Sequence, residues 1–356
     1  MVELGRRPIK TTSEVIKLAK SHLKDLMQDC MQSAQGADLL IYSTLGSFTT
    51  PTVAQYFNIP AIATHLQPPN SLQPLLIPPF AIKELYGSLI ESSLAKIVES
   101  IIWRSLSPQI NQWRNSLGFG KSSKPHSITG LQPSGMPTMF GFSSLVVPKL
   151  PDWPDNVHVT GYWFLPMEEN WKPPKELIEF IDSGPPPVFI SFGSMTSSDP
   201  KQLTSLIVEA TQEAKVRCVL GSGWAKLGCD NLPDNIYLVD DLPYEWLLPK
   251  MSAIVHHGGA GTTAAALRAG IPSVTIPCLA DQFFWGKTLI ALGASTDSIK
   301  RTKLSSENLA VALKKVGSNN EISDRAKYLS QRLEKENGPN NALSVIQKLF
   351  NNELSI

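Results

Sequence analysis

Residues 252–282, Ser-Ala-Ile-Val-His-His-Gly-Gly-Ala-Gly-Thr-Thr-Ala-Ala-Ala-Leu-Arg-Ala-Gly-Ile-Pro-Ser-Val-Thr-Ile-Pro-Cys-Leu-Ala-Asp-Gln, read as a strand, a glycine turn, a helix and a second strand with polar groups at the rim. Ala253-Ile254-Val255 is a short apolar run of the kind that forms a buried strand. Gly258-Gly259-Ala260-Gly261 is a turn whose backbone can come close to a ligand, and Thr262 to Ala269 have helix-compatible composition ended by Gly270. The N–H groups at the start of that helix, and the positive end of its dipole, point at whatever lies above Gly261 and Thr262. Both favour an anion such as phosphate. A second apolar strand, Ser273 to Pro277, follows the crossover and is expected parallel to the first. Asp281 and Gln282 then lie beyond its carboxyl end, where open α/β sheets bind ligands.

Three readings of this unit compete. Gly259-x-Gly261-x-x-Ala264 satisfies the loose dinucleotide pattern, with Asp281 twenty residues after Gly261 as a candidate ribose-binding acid. Alternatively, the glycines serve only a tight turn and the alanines only close helix–sheet packing. Against both stand the adjacent His256-His257 and the pair Asp281-Gln282 followed by Phe283-Phe284-Trp285-Gly286. Neighbouring histidines at a strand end point to opposite faces, so they do not readily chelate one ion. His257 is expected to contact ligand and His256 to be structural.

With His-His-Gly-Gly-Ala-Gly-Thr-Thr, Gly270-Ile271-Pro272 and Asp281-Gln282-Phe283-Phe284-Trp285, the sequence resembles the sterol, lipid and macrolide glucosyltransferases of the GT-B fold. The resemblance also covers Gly141-Phe142-Ser143, Val146-Val147-Pro148, Pro151-Asp152-Trp153-Pro154, His158 to Trp163 and Gly184 to Met195. It implies an α/β chain with two Rossmann-like domains facing across a cleft. The implied activity is inverting, metal-independent transfer of a hexose, with glucose from UDP-glucose the first expectation, to the hydroxyl of a sterol, lipid, polyketide-like or other apolar acceptor. No cofactor is implied, the UDP-sugar being a co-substrate.

By the same resemblance, His257, Ala260, Gly261 and Thr262 contact the diphosphate and neighbouring sugar, and Asp281 and Gln282 hold glucose hydroxyls. Carboxylate and amide groups suit vicinal hydroxyls because they accept or donate in fixed geometry. The base is expected at Asp241-Leu242-Pro243-Tyr244, with Leu242 and Tyr244 as site residues. Tyr244 stands where the family usually has histidine. Ala265 stands where plant-type relatives have a ribose-binding glutamate, which favours the sterol and macrolide branch. Gly193-Ser194 is either a second phosphate-facing loop, with Ser194 in the site, or a simple turn. His65, ending a strand of the first domain, is a weak candidate for a catalytic base.

The 356 residues, 42% hydrophobic content and net charge of +1 fit a globular enzyme of two domains and argue against nucleic acid as principal partner. No apolar run of membrane-spanning length occurs and residues 1–12 are too polar for a signal peptide, so the default compartment is the cytoplasm, with peripheral membrane contact left open. Cys30, Cys218, Cys229 and Cys278 are scattered without metal spacing. Helical periodicity over Val15 to Ala34, a strand over Asp38 to Tyr42, a helix over Pro51 to Phe57 and a strand over Ala61 to His65 make a βα alternation with a parallel sheet. A Pro-rich loop, Leu66 to Phe80, and a helical region from Ile82 to about Leu117 follow. That loop and the aromatic-bearing segment Ile101 to Trp113 are candidates for an apolar acceptor pocket or a membrane contact, and equally for ordinary packing.

The expected division is 1–163, an acceptor-binding domain; 164–187, a connection dense in proline and charge; and 188–356, a nucleotide-sugar domain. Six strands are expected in the second half: 188–192, 216–220, 236–239, 253–255, 273–276 and a short one near 294–298. Ser305 to Val316 and Ile322 to Leu333 read as helices, and a last one near Ala342 to Phe350 is expected to cross back onto the first domain. The family's opening strand and its Gly-Ser-(Arg/Thr)-Gly-Asp loop, which carries the catalytic base, have no counterpart here. The first domain is therefore expected to be incomplete. Two other readings stay open beside the transferase: a nucleotide-sugar-binding module that does not catalyse, and an NAD-dependent oxidoreductase using the Gly259 loop.

Overall fold

Val188-Phe-Ile-Ser191 alternates its side chains between two covered faces, which is why it reads as an unbroken apolar run. Val188 and Ile190 enter one core, Phe189 the other, and all three are buried. The computed structural model describes residues 8–68, 89–122, 136–151, 153–229, 231–278 and 281–353. Within them the chain divides into two units, one over 164–336 and one combining 7–163 with 337–356.

In the first of these, β5 (Val188–Ser191), β6 (Cys218–Gly221), β7 (Ile236–Val239), β8 (Ala253–His256) and β9 (Ser273–Thr275) form a parallel sheet in the order β7-β6-β5-β8-β9. The expected sixth strand is a single parallel bridge, Ser273 to Ser295. Strand order reverses between β5 and β8, so the switch point lies beyond Ser191 and His256, which are paired in register.

One face of this sheet is covered by α5 (Pro200–Ala214) and α9 (Ser306–Ser318), through Leu203, Ile207, Leu309 and Leu313. The other is covered by α4 (Lys175–Asp182), the short α6 (Tyr244–Leu247) and α7 (Ala260–Ala269), through Leu177, Ile181, Leu247 and Ala266. The helices α8 (Gln282–Ala291) and α10 (Asn320–Leu333) complete the unit. Local signals agree with these bounds. Asp199 caps α5 by accepting from the Gln202 N–H at 2.9 Å, with Pro200 at the first helical position. Ser305 and Asn308 form a reciprocal capping box on α9. Gly270 ends α7 at φ +69°, a conformation that only glycine adopts without strain. Residues 164–187, read as a connection, thus belong to this unit, with α4 inserted in its core.

The other unit holds a four-stranded parallel sheet, β1 (Leu40–Tyr42), β2 (Ala61–His65), β3 (Thr138–Phe140) and β4 (Val157–Val159), in sequential order. α1 (Pro8–Ser33) packs on α3 (Leu89–Ser116) through Leu23, Met27, Leu106 and Ile110, and α2 (Thr50–Phe57) lies between β1 and β2 in sequence. The last helix, α11 (Gly338–Glu353), packs Ala342, Val345, Ile346 and Leu349 on Ile62 and Met139. Its Asn341 side chain donates to the Thr160 carbonyl at 2.8 Å. Most of the Pro-rich loop, residues 69–80, and the expected helical start at Ile82 lie outside the described residues. Among the described residues no helix is long and apolar enough to cross a membrane.

Candidate functional site

Three strand-end loops meet at the switch point. β5 leads to Gly193, at φ +54°, whose N–H donates to the Ser191 hydroxyl at 3.2 Å. β6 leads to Gly223, where an added Cβ would lie 2.8 Å from the Gly193 carbonyl oxygen, and the Trp224 N–H donates to that oxygen at 3.0 Å. β8 leads to His257, whose ring lies between Gly193 and Gly259. A Cβ at Gly193 would meet the ring's Cε1 at 3.2 Å, and one at Gly259 would run into Nε2. At 223 and 259 neighbouring atoms fill the space a side chain needs, while at 193 the left-handed backbone itself favours glycine.

Gly261 differs. It sits in the first turn of α7, its φ is ordinary, and an added Cβ would meet nothing within 4 Å. No packing or strain explains glycine there. The helix's first intrahelical donor is Thr263, whose N–H reaches the Gly259 carbonyl at 2.9 Å, so the N–H groups of Ala260, Gly261 and Thr262 precede the helical ladder. They form the donor-rich, positive end of α7 beside that open space.

The two histidines separate by role. His256 is fully buried at the end of β8, and its Nδ1 accepts from the Gly258 N–H at 3.2 Å. Burial, with the neighbouring His257 ring adding to it, lowers its pKa to about 3. His257 is 8% exposed, burial lowers its pKa to about 4, and its buried Nδ1 has no partner. At neutral pH it is a neutral ring with a hydrogen-bonding atom unused.

Tyr244 begins α6 and packs edge-on to Phe189, with ring centroids 5.6 Å apart. Burial raises its pKa, while its hydroxyl engages the side chains of Ser191 and Thr262. It thereby links the end of β5 to the start of α7. Leu242 and Tyr244 also line a cavity of about 890 Å³ that reaches Gly261 and Ala265 at one wall and Phe164 to Glu168 at another. Ser194 is exposed on the β5 loop.

The pair at the start of α8 is more committed than its motif suggests. Asp281 accepts from the Trp285 indole N–H at 3.1 Å through Oδ2, and burial raises its pKa. Gln282 is 5% exposed; its Oε1 accepts from the Cys278 N–H at 2.8 Å and its Nε2 donates to the Met195 sulfur at 3.3 Å. Gly258, at φ +85°, leaves room for the Gln282 carbonyl oxygen, which a Cβ would approach to 2.9 Å. Gln282 therefore ties the β9 loop to the β5 loop from inside, whereas Asp281 stands half-buried at the head of α8.

His65 ends β2 in the other unit. It is 4% exposed, its Nδ1 lies 2.9 Å from the Thr44 hydroxyl, and its buried Nε2 has no partner. Burial lowers its pKa to about 4. Among the described residues no group of three or more His, Cys, Asp or Glu is placed to hold a metal ion.

The dinucleotide alternative meets a topological obstacle. That fingerprint belongs to the first strand–helix turn of a doubly wound sheet. Here the Gly259 loop follows the fourth strand, β8, and the first turn carries Phe192-Gly193-Ser194 instead.

Comparison with known proteins agrees with this geometry. Residues 218–349 match the model of the erythromycin biosynthesis protein CIII-like C-terminal domain. A sterol 3-beta-glucosyltransferase of Debaryomyces hansenii is 33% identical over 97% of this chain and 23% of its own length, and one of Emericella nidulans is 34% identical over 98% of this chain and 25% of its own. The chain spans about a quarter of the length of these curated relatives. Among solved structures, a kitacinnamycin glycotransferase is similar with a TM-score of 0.71 at 18% identity, over 94% of this chain and 83% of its own. The glycosyltransferase VinC, solved with DTDP, is similar with a TM-score of 0.59 at 17% identity, over 95% of this chain and 78% of its own. With two parallel α/β units of this kind and the His-His-Gly-Gly-Ala-Gly-Thr-Thr loop at the switch point of the 164–336 unit, the chain has the GT-B fold of these glycosyltransferases and is similar in sequence, over nearly its whole length, to sterol 3-beta-glucosyltransferases.

Proposed function

We propose that residues 164–336 form the donor site of an inverting, metal-independent hexosyltransferase that uses UDP-glucose, with a sterol or other apolar alcohol as acceptor. The observation that carries this reading is Gly261, a glycine with no structural need to be one, in the first turn of α7, where the N–H groups of Ala260, Gly261 and Thr262 precede the helical ladder. Glycine at such a point lets a diphosphate approach the helix start closely, and the exposed amides stabilise negative charge on the leaving group as the sugar passes through an oxocarbenium-like state. His257, neutral at pH 7, adds a donor or acceptor without a fixed charge. The cavity beside Tyr244 and Ala265 receives the nucleoside, and the Asp281 carboxylate, held in place by the Trp285 indole, receives hexose hydroxyls. Similarity to sterol 3-beta-glucosyltransferases supports the acceptor class, and a relative solved with DTDP supports a nucleoside diphosphate as ligand.

Calorimetry in the presence of a chelator tests this reading. UDP and UDP-glucose should bind and NADH should not. Asp281→Ala should weaken UDP-glucose by about 1 kcal/mol or more while leaving UDP nearly unchanged, because the lost bond lies on the sugar. Preferential binding of NADH, or no binding of UDP until a divalent ion is added, would contradict the proposal.

A further inference from the structure

The outer wall of the cavity is a segment without helix or strand, residues 164–171, and three contacts hold it against the helices that bear the site. Phe164 lies under the Arg268 guanidinium, 4.4 Å from ring centroid to Cζ. The Met167 N–H donates to Glu245 Oε2 at 3.2 Å. Trp171 packs on Trp246, with centroids 5.3 Å apart. Arg268 and Glu245 are themselves joined, Nη2 to Oε1 at 3.1 Å. One ion pair therefore grips the segment twice, through the Phe164 ring and through the Met167 amide, and both its members line the cavity. Arg268 stands on α7, two turns beyond Gly261, and Glu245 follows Tyr244, so the clasp is anchored on the two elements that carry the proposed phosphate and nucleoside contacts.

Both side chains are about two-fifths exposed. Half-exposed ion pairs and cation–π contacts are individually weak, so a clasp built from them opens readily. Resting on the donor-site reading above, we propose that Arg268 and Glu245 are positioning residues for the nucleotide: they clasp 164–168 shut as the outer wall of its cavity, and the nucleotide binds the clasped form. The apparent affinity is then the intrinsic affinity scaled by the clasped fraction, so a mutation that lowers that fraction weakens binding without touching the ligand.

Hydrogen exchange of the full chain at the Met167 amide reads the clasp, and calorimetry with UDP reads its effect. Arg268→Ala should speed Met167 exchange and raise the Kd for UDP about fivefold to tenfold, the size expected for losing one cation–π contact and one half-exposed ion pair. Glu245→Gln, which removes the charge pairing but keeps an acceptor for the Met167 N–H, should show a smaller loss. Arg268→Lys should recover part of the affinity, since it restores the pair but not the planar stack on Phe164. Lys314→Ala, which breaks the comparable pair with Glu213, should change neither quantity. In the unmutated chain UDP should slow Met167 exchange. Faster Met167 exchange in Arg268→Ala with unchanged UDP affinity would overturn the proposal, as would unchanged exchange with normal binding. Failure of the unmutated chain to bind UDP at all would instead defeat the donor-site reading, leaving the clasp judged by the exchange data alone.

Discussion

The ring of His257 is wedged between two glycines and keeps a small exposed part, whereas the His256 ring is fully buried, spends Nδ1 on the Gly258 N–H that shapes the loop and leaves its Nε2 unpartnered in the core. His257→Ala should therefore lower UDP affinity with little change in unfolding free energy. His256→Ala should cost about 1–3 kcal/mol of stability, since it removes a buried bonded group and leaves a space. Isothermal titration beside denaturant unfolding of both variants measures this, and equal loss of UDP affinity in the two would show the roles to be wrongly divided. Protonation gives a second expectation. Burial holds His256 and His257 at pKa values of about 3 and 4, against 6.5 for an unburied imidazole. Below pH 6.5 the unfolded chain takes up protons that the folded rings refuse, so their contribution is intact above that pH and is lost progressively as pH falls towards 4. The loss amounts to at most about 1.4 kcal/mol per pH unit for each ring. Unfolding midpoints measured across this range should fall on acidification, less steeply in His256→Ala; a midpoint that rises would contradict the assignment.

At the scale of elements, Arg217 holds the end of α4. Its guanidinium donates to the carbonyls of Phe180, Ile181 and Pro185 and to the Ser183 hydroxyl, and lies over the Phe180 ring at 4.4 Å. The last carbonyls of a helix lack intrahelical partners, and a cation beside them also opposes the helix dipole favourably. Arg217→Ala should destabilise this unit by roughly 1–3 kcal/mol, as bonds to a charged group do, without altering UDP affinity measured below the transition. A loss of affinity in the folded variant would contradict this purely structural role. Helix α4 is also one of the elements absent from the sequence expectations. Proline and charge around it suggested a connection, and the pair Leu177 and Ile181, one helical turn apart, was too short a signal against that background. Strands β3 and β4 escaped for a related reason: three residues each give no period to count. By contrast β2 and β7 were bounded by turn residues, and their apolar runs fell where the structure has them.

Across the whole molecule, the sequence singled out the candidate donor loop because its glycines, histidines and threonines are consecutive. It could not show which glycines answer to packing and which to open space, since that depends on Gly193, Gly223 and His257 meeting from three strands. Nor could it show that Gln282 turns inward to Cys278 and Met195, or that Arg268 and Glu245, 23 residues apart, close on the same segment. These facts are non-local, and only the order β7-β6-β5-β8-β9 brings them together. The central claim, that this meeting point holds a nucleoside diphosphate, makes opposite demands on one residue. Alanine is a better helix former than glycine by up to about 1 kcal/mol, and its methyl at position 261 meets nothing in the protein. Gly261→Ala should therefore keep or raise thermal stability while weakening UDP binding, because the methyl occupies the space the diphosphate needs. Melting temperature and UDP affinity of that variant, measured side by side without metal, test the account most directly. An unchanged or higher melting temperature with weakened UDP binding is the predicted result, and unaltered UDP affinity would contradict it.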